Sequence, residues 1–255
     1  MFDVSSDFWT FMLIGFCAQL VDGALGMAFG VISSTVLLSL GHAPVVVSAS
    51  VHTAEMFTTG FSAASHIYFK NVNWKLCLPL AFFGAIGGVA GALILSNIDG
   101  DTIKPFISIY LGLLGLFILW KAAQNKKNVA APALLSIEKT SALGIAGGVL
   151  DASGGGGWGP IVTSNLIARG DNPRQVIGSV NTSEFIVSAA ITLAFIATVG
   201  FHFTDVVIGL LAGGVIAAPL GAYLLRKFST RVLMTIVGVL ITSLSVWQIV
   251  KHFFL

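Results

Sequence analysis

Residues 151–160 of the chain read Asp-Ala-Ser-Gly-Gly-Gly-Gly-Trp-Gly-Pro, inside a segment that is otherwise apolar. Glycine costs about 1 kcal/mol and proline about 3 kcal/mol in the interior of a helix. Four consecutive glycines close to Pro160 therefore predict a break in any helix that forms here. The apolar segment around them, 139–168, would then consist of two half-helices, each too short to cross a bilayer alone.

The composition indicates a membrane protein. Of the 255 residues, 56% are hydrophobic and 9% are charged, against about a quarter charged in soluble domains. The mean hydropathy of +0.93 leaves too little polar surface for a soluble globule, so we expect a lipid environment and neither a nucleic-acid partner nor a cofactor. Cys17 and Cys77 lie in apolar runs and predict no disulfide. Met1–Trp9 lacks the basic residues of a cleavable signal peptide.

The chain repeats itself at a spacing of 129 residues. Asp22 aligns with Asp151, and the glycine-rich stretch 22–30 aligns with 151–159. Downstream, Val51-His-Thr-Ala-Glu55 aligns with Val180-Asn-Thr-Ser-Glu184, and after a slip of one residue Lys121 aligns with Lys251. Two buried acids in one register are not a chance match, so the sequence predicts two homologous halves.

Each half divides into four apolar segments. The first repeat, 1–125, contains segments 8–40, 44–69, 75–95 and 102–122. A cytoplasmic connection is predicted at 126–138, and the second repeat, 139–255, contains segments 139–168, 173–199, 203–225 and 230–253. The opening segment of each half is unusually long and has a glycine-rich, acidic middle.

The basic residues favour a re-entrant hairpin for each opening segment. If all eight segments crossed the bilayer, the 13 Lys and Arg residues would divide almost evenly between its faces. If 8–40 and 139–168 enter and return on one side, eleven of the 13 lie on one face, as the positive-inside rule expects for the cytoplasm. Only Lys104 and Lys251 then lie outside. Three crossings per half make the two halves inverted repeats, which is a transporter architecture. We therefore predict an all-α polytopic protein of the inner membrane, with re-entrant broken helices and both termini outside.

Four acids lie deep in apolar segments: Asp22, Glu55, Asp151 and Glu184. Such groups cost at least about 2.5 kcal/mol at the bilayer centre and usually serve a function. The aspartates precede the glycine runs, so a structural role as caps of the second half-helices is an equal alternative. The glutamates are favoured as coupling groups that bind and release a proton.

The glycine clusters predict an anion site without a buried arginine. Unwound glycine backbone exposes N–H groups, and the half-helix that follows points its positive dipole end at the same place. The alternative is that the glycines serve close helix packing. Candidate ligands are Gly26, Gly30, His52, Thr53, Gly155, Gly156, Gly157, Trp158, Asn181 and Thr182. The sequence predicts no metal site and no catalytic residue.

These motifs resemble the TauE/SafE family of sulfite and organosulfonate exporters. The resemblance lies in Gly147-Gly-Val-Leu-Asp-Ala-Ser-Gly-Gly-Gly-Gly-Trp-Gly-Pro160 followed by Ile177-Gly-Ser-Val-Asn-Thr-Ser-Glu184, and in Asp22-Gly-Ala-Leu-Gly-Met27 followed by Ser50-Val-His-Thr-Ala-Glu55. It covers nearly the whole chain and implies export of a small sulfur oxyanion such as sulfite or sulfoacetate. The first hairpin departs from the pattern because it has no run of consecutive glycines.

Two other readings remain open at this point. An anion channel of the same architecture would not need a titratable group such as Glu55 or Glu184. An intramembrane protease fits poorly, because Asp22 and Asp151 precede their glycines and Asp151-Ala-Ser-Gly154 lacks the leading glycine of a serine motif. A protein that is not an enzyme is expected. The direction of transport, the coupling ion and the oligomeric state, with a homodimer as one alternative, stay undecided.

Overall fold

The computed structural model describes residues 6–124, 136–168, 173–200, 205–227 and 229–254, and these contain helices and no strand. Most of the predicted connection 126–138 lies outside these ranges. The described helices are, in chain order, α1 Ser6–Leu25, α2 Phe29–Ser39, α3 Pro44–Tyr68, α4 Trp74–Asn97, α5 Gly100–Ala123, α6 Ile137–Gly154, a π-helical turn Gly159–Thr163, α7 Ser164–Ala168, α8 Pro173–Val199, α9 Asp205–Lys227 and α10 Thr230–Phe254.

The fold class is confirmed as an all-α polytopic membrane protein. By length and apolar composition, four of the described helices can cross a bilayer: Trp74–Asn97, Gly100–Ala123, Gln175–Val199 and Arg231–Phe254. Large apolar side chains such as Phe61, Phe82 and Leu193 are exposed, whereas His52 and Asp151 are buried. This distribution is the opposite of a soluble protein's and suits a surface covered by lipid.

Helices pack mainly between the two halves of the chain. Helix α1 packs against α9, and α6 packs against α4; α3 packs against α8, and α5 against α10. The α1–α9 pair has its repeat counterpart in the α6–α4 pair. The α3–α8 and α5–α10 pairs each join two helices that are equivalent in the repeat. This exchange is what a two-fold relation between repeats produces, and their inversion in the bilayer stays a prediction.

The opening segment of each half is a broken helix that folds back. We call α1 with α2 the first hairpin, and α6 with the π-helical turn and α7 the second hairpin. The ring of Phe11 in α1 lies 5.5 Å from the ring of His42, just after α2, so the two ends of the first hairpin meet. In the second hairpin, a Cβ atom placed on Gly147 would lie 2.9 Å from Cγ2 of Val162, so its two arms face each other.

Contacts at the two ends of the bundle join residues that the sequence places on the same side. At one end, Ser96 Oγ lies 2.9 Å from Thr198 Oγ1. At the other end, the Asn73 N–H donates to Ser179 Oγ at 2.8 Å, and Arg231 Nε donates to the Ala122 carbonyl at 2.9 Å. The packing is therefore compatible with the predicted sidedness, which no membrane boundary in the structure tests.

Candidate functional site

In the first hairpin, the Asp22 carboxylate holds the break between α1 and α2. Its Oδ1 accepts hydrogen bonds from the N–H groups of Ala28 at 2.6 Å and Phe29 at 3.2 Å. Gly26, with φ of +65°, makes the turn in a conformation that glycine adopts without strain. Asp22 thus satisfies N–H groups at the start of α2 from the preceding helix, although it is not itself the N-cap residue.

In the second hairpin, Asp151 has the equivalent position and a similar bond. Helix α6 ends at Gly154, and Gly155 follows in the left-handed conformation with φ of +72°. The N–H of Trp158 donates to Asp151 Oδ1 at 2.9 Å. The four glycines therefore interrupt the helix at the predicted place. The Asp151 carboxylate accepts from the Trp158 N–H group, which would otherwise be free to bind an anion.

The two hairpins meet at their glycines. A Cβ atom on Gly156 would lie 2.4 Å from the carbonyl carbon of Gly30, and one on Gly159 would lie 2.5 Å from Cα of Met27. In the repeat register Gly30 corresponds to Gly159 and Met27 to Gly156. The Gly156–Gly30 contact and the Gly159–Met27 contact are therefore equivalent by the repeat. Because backbone touches backbone here, this conformation leaves no room for an anion between Gly30 and Gly156.

Hydroxyl groups outside the second hairpin fix its glycine turn. Ser34 Oγ donates to the Gly155 carbonyl, and Tyr110 OH donates to the Gly156 carbonyl at 3.2 Å. Ser48 Oγ donates to the Ala152 carbonyl at 2.6 Å. The sequence analysis did not select these three side chains. A serine inside an apolar segment was the available signal for two of them.

His52 and Asp151 form a buried pair between the two halves. His52 Nε2 lies 3.2 Å from Asp151 Oδ2, and its Nδ1 lies 2.8 Å from the Ser48 carbonyl oxygen. Ser48 Oγ already donates to Ala152, so it also presents an acceptor to Nδ1. Both ring nitrogens therefore face oxygen atoms, and a doubly protonated imidazole beside a carboxylate satisfies both contacts.

Glu55 lies beside this pair, and Glu184 belongs to α8. Glu55 and Glu184 are buried, and Oε2 of Glu55 has no hydrogen-bond partner among the described residues. Ligand atoms of His52, Glu55 and Asp151 lie within 4.8 Å of one another. An imidazole and two carboxyl groups this close can exchange protons, and the same three groups are of the kind that bind metal ions. The expected absence of a metal site stays a prediction.

The equivalent place in the other half is a cavity. Asn181 stands where His52 stands in the repeat, and its Nδ2 would lie 3.9 Å from a Cβ atom on Gly26. A cavity of about 240 Å³ adjoins it. Its lining includes Gln19, Asp22, Gly26, Thr58, His66 and Asn181. The two hairpins thus have different surroundings, one closed by an ion pair and one open and polar.

The remaining predicted ligands have their donor hydrogens in use. Thr53 Oγ1 donates to the Ala49 carbonyl and Thr182 Oγ1 to the Gly178 carbonyl, both at 2.7 Å. The indole N–H of Trp158 donates to the Val180 carbonyl at 3.4 Å, and the ring is fully buried against Gly84 and Gly147. Their role as anion ligands stays a prediction that requires these bonds to open.

Comparison with known proteins now gives the class and the family. A family model described as "Sulfite exporter TauE/SafE" matches residues 11–247, and the chain belongs to this family of multi-pass membrane transporters. It is 44% identical over 237 residues to "Probable membrane transporter protein YtnM" of Bacillus subtilis, covering 89% of this chain and 78% of that one. It is 29% identical to "Probable membrane transporter protein YdhB" of the same organism, covering 86% and 89%. A "Probable membrane transporter protein" of Xylella fastidiosa is 24% identical, covering 93% and 91%. No solved structure matches.

Proposed function

We propose that the protein exports a small sulfur oxyanion, such as sulfite or an organosulfonate, across the inner membrane in a proton-linked cycle. The sulfur cargo is suggested by the family description. The single observation that supports proton linkage is the buried group of His52, Asp151 and Glu55 at the place where two broken helices meet.

The charges of this group provide a mechanism for coupling. In this proposal His52 is an imidazolium whose charge the Asp151 carboxylate offsets, and Glu55, within 4.8 Å of both, adds a second acid to the group. Two like charges 4 Å apart repel by about 4 kcal/mol at an effective dielectric constant of 20. An anion therefore approaches the hairpins at lower cost when Glu55 is protonated, and this links anion binding to proton binding.

The anion site is proposed to form when the two hairpins separate. Separation of Gly30 from Gly156 would open a space beside Glu55, and the Gly155–Gly157 backbone would border it. Gly26, Thr53, Trp158, Asn181 and Thr182 are the further candidate ligands, as the sequence suggests. The polar cavity next to Asn181 is a route to this space from the side that includes His66.

Flux into proteoliposomes tests the proposal. Sulfite, sulfoacetate, sulfate and chloride are compared with and without an imposed pH gradient, and we expect the sulfur oxyanions to move fastest and to respond to the gradient. Glu138→Gln changes an exposed acid in the first turn of α6. It is the matched control for Glu55→Gln and Glu184→Gln, which change the two buried glutamates. Flux of every anion with no response to the gradient would instead identify an anion channel, and no flux of any would refute the transport of these cargoes.

A further inference from the structure

A polar cavity of about 260 Å³ lies where α2 and α10 end and α5 begins. Lys104, Lys251 and His252 line it, and Asp101 is the one acid among its described lining residues. Lys104 and Lys251 are also the two basic residues that the sequence places apart from the other eleven. The two exceptions to the charge asymmetry of the chain therefore share one cavity.

We propose that this cavity is an outer vestibule that binds a small oxyanion through Lys104 and Lys251. The inference deepens the proposed function, on which it rests, because it assigns the place from which the transported anion leaves. Two ammonium groups and one carboxylate line this polar cleft, and a cleft with an excess of positive charge concentrates anions. Each ammonium group has three donor hydrogens for oxyanion oxygens, and an apolar solute would gain nothing from them.

The floor of the outer vestibule is a pair of buried polar side chains. Ser108 Oγ donates to Gln248 Oε1 at 3.0 Å, and Gln248 Nε2 donates to the Thr35 carbonyl at 3.2 Å. Thr35 belongs to α2, and its neighbour Ser34 bonds to the Gly155 carbonyl of the second hairpin. Two consecutive residues of α2 thus bond to the vestibule floor on one side and to the second hairpin on the other.

The place that the repeat makes equivalent to the vestibule, where α5 and α7 end and α10 begins, lacks this arrangement. Lys121, the repeat equivalent of Lys251, donates from Nζ to the Ser164 carbonyl at 2.9 Å. Ser164 is the equivalent of Thr35, whose carbonyl binds Gln248 instead. Ile118 stands where Gln248 stands, so the equivalent place has no amide. Because Gln248 binds the Thr35 carbonyl, Lys251 does not take this position and lines the cavity instead. The vestibule is therefore present at one end of the bundle and has no equivalent at the other.

Charge-selective thiol labelling tests the vestibule directly. Ser39→Cys, which lines the cavity, is compared with the exposed control Asn97→Cys, both in a chain with Cys17→Ser and Cys77→Ala. Right-side-out vesicles are treated with methanethiosulfonates that bear either a sulfonate or a trimethylammonium group. The sulfonate should be preferred by about fivefold or more at position 39 relative to position 97, and added salt should reduce this preference.

Lysine substitutions and a competing anion complete the test. Lys104→Gln combined with Lys251→Gln should remove the preference at position 39, and the corresponding Arg pair should retain it. Millimolar sulfate should slow labelling at position 39 only; sulfate is the probe because sulfite itself attacks thiosulfonates. Equal reagent ratios at both positions, or a preference that survives the Gln pair, would overturn the vestibule. Failure of sulfite flux in the unmodified protein would refute the proposed function and leave the labelling result unaffected.

Discussion

Gly156 lies where the two hairpins touch, so we expect that even a methyl group at this position destabilises the protein. In Gly156→Ala, the new Cβ atom would lie 2.4 Å from the carbonyl carbon of Gly30 and 2.5 Å from the Val31 nitrogen. Both are backbone atoms, so no side chain can rotate to relieve the contact. Ordinary contact begins at 3.4 Å, and the first hairpin must therefore move by roughly 1 Å.

The size of the loss follows from this geometry. Overpacking a close-packed interior costs about 1–3 kcal/mol, and contact with backbone on the far side places Gly156→Ala near the upper value. For a chain of this length each kcal/mol lowers the midpoint of thermal unfolding by about 2–4 °C, so a fall of about 6–12 °C is expected. Sulfite flux should fall as well, because the methyl group occupies the space proposed for the anion.

Gly100→Ala is the matched control, since its Cβ atom would lie 3.6 Å from Cδ of Pro44 in ordinary contact. Both variants are purified in one detergent, and thermal unfolding and proteoliposome flux are measured on the same preparations. Melting of Gly156→Ala within about 2 °C of the control would show that the backbones need not touch. Full flux in addition would remove the second hairpin from the site.

Three further predictions concern the acids, the histidine and the topology. Glu55→Gln and Glu184→Gln should still bind sulfite but lose flux driven by a pH gradient, because an amide cannot titrate; unchanged gradient dependence in both would move coupling to another group. His52→Ala should lower the free energy of unfolding by about 3–5 kcal/mol, measured by thermal or denaturant unfolding, because it leaves a buried carboxylate unpaired; a loss below about 1 kcal/mol would contradict the ion pair. Asp7→Cys and Leu40→Cys, at the two ends of the first hairpin, should both label from outside and Lys139→Cys from the cytoplasm; labelling of the first two from opposite sides would refute the re-entrant arrangement.

Much of the fold was accessible from the sequence because its strongest signals are local. Proline and glycine mark the breaks: α3 begins at Pro44 and α8 at Pro173, and α6 ends within the glycine run at Gly154. Apolar length identifies the spans for similarly local reasons. The first break was less evident, since 22–30 has no consecutive glycines, yet Gly26 still makes the turn.

The site was predicted less completely, because its bonds join residues far apart in the chain. The repeat register aligned His52 with Asn181 but did not indicate that His52 would pair with Asp151, across 99 positions. It left open whether the aspartates or an anion would occupy the N–H groups of the second half-helices, since a helix end binds either kind of negative group. Ser48, Tyr110 and Gln248 were passed over because a single polar residue in an apolar segment gives no partner.

The packing of each hairpin on helices of the opposite half has a consequence for biosynthesis. Helix α1 packs against α9, and the partner of the Asp151 carboxylate is His52 in α3. When the ribosome has made only the first half, α1 has no α9 to pack on, and Asp22 and Glu55 stand in lipid without their final surroundings. Insertion and folding are therefore separate events in this chain: the first half must persist in the membrane as an unfinished set of helices until the second is translated. Most of the helix packing of each half therefore forms only when the other half is present.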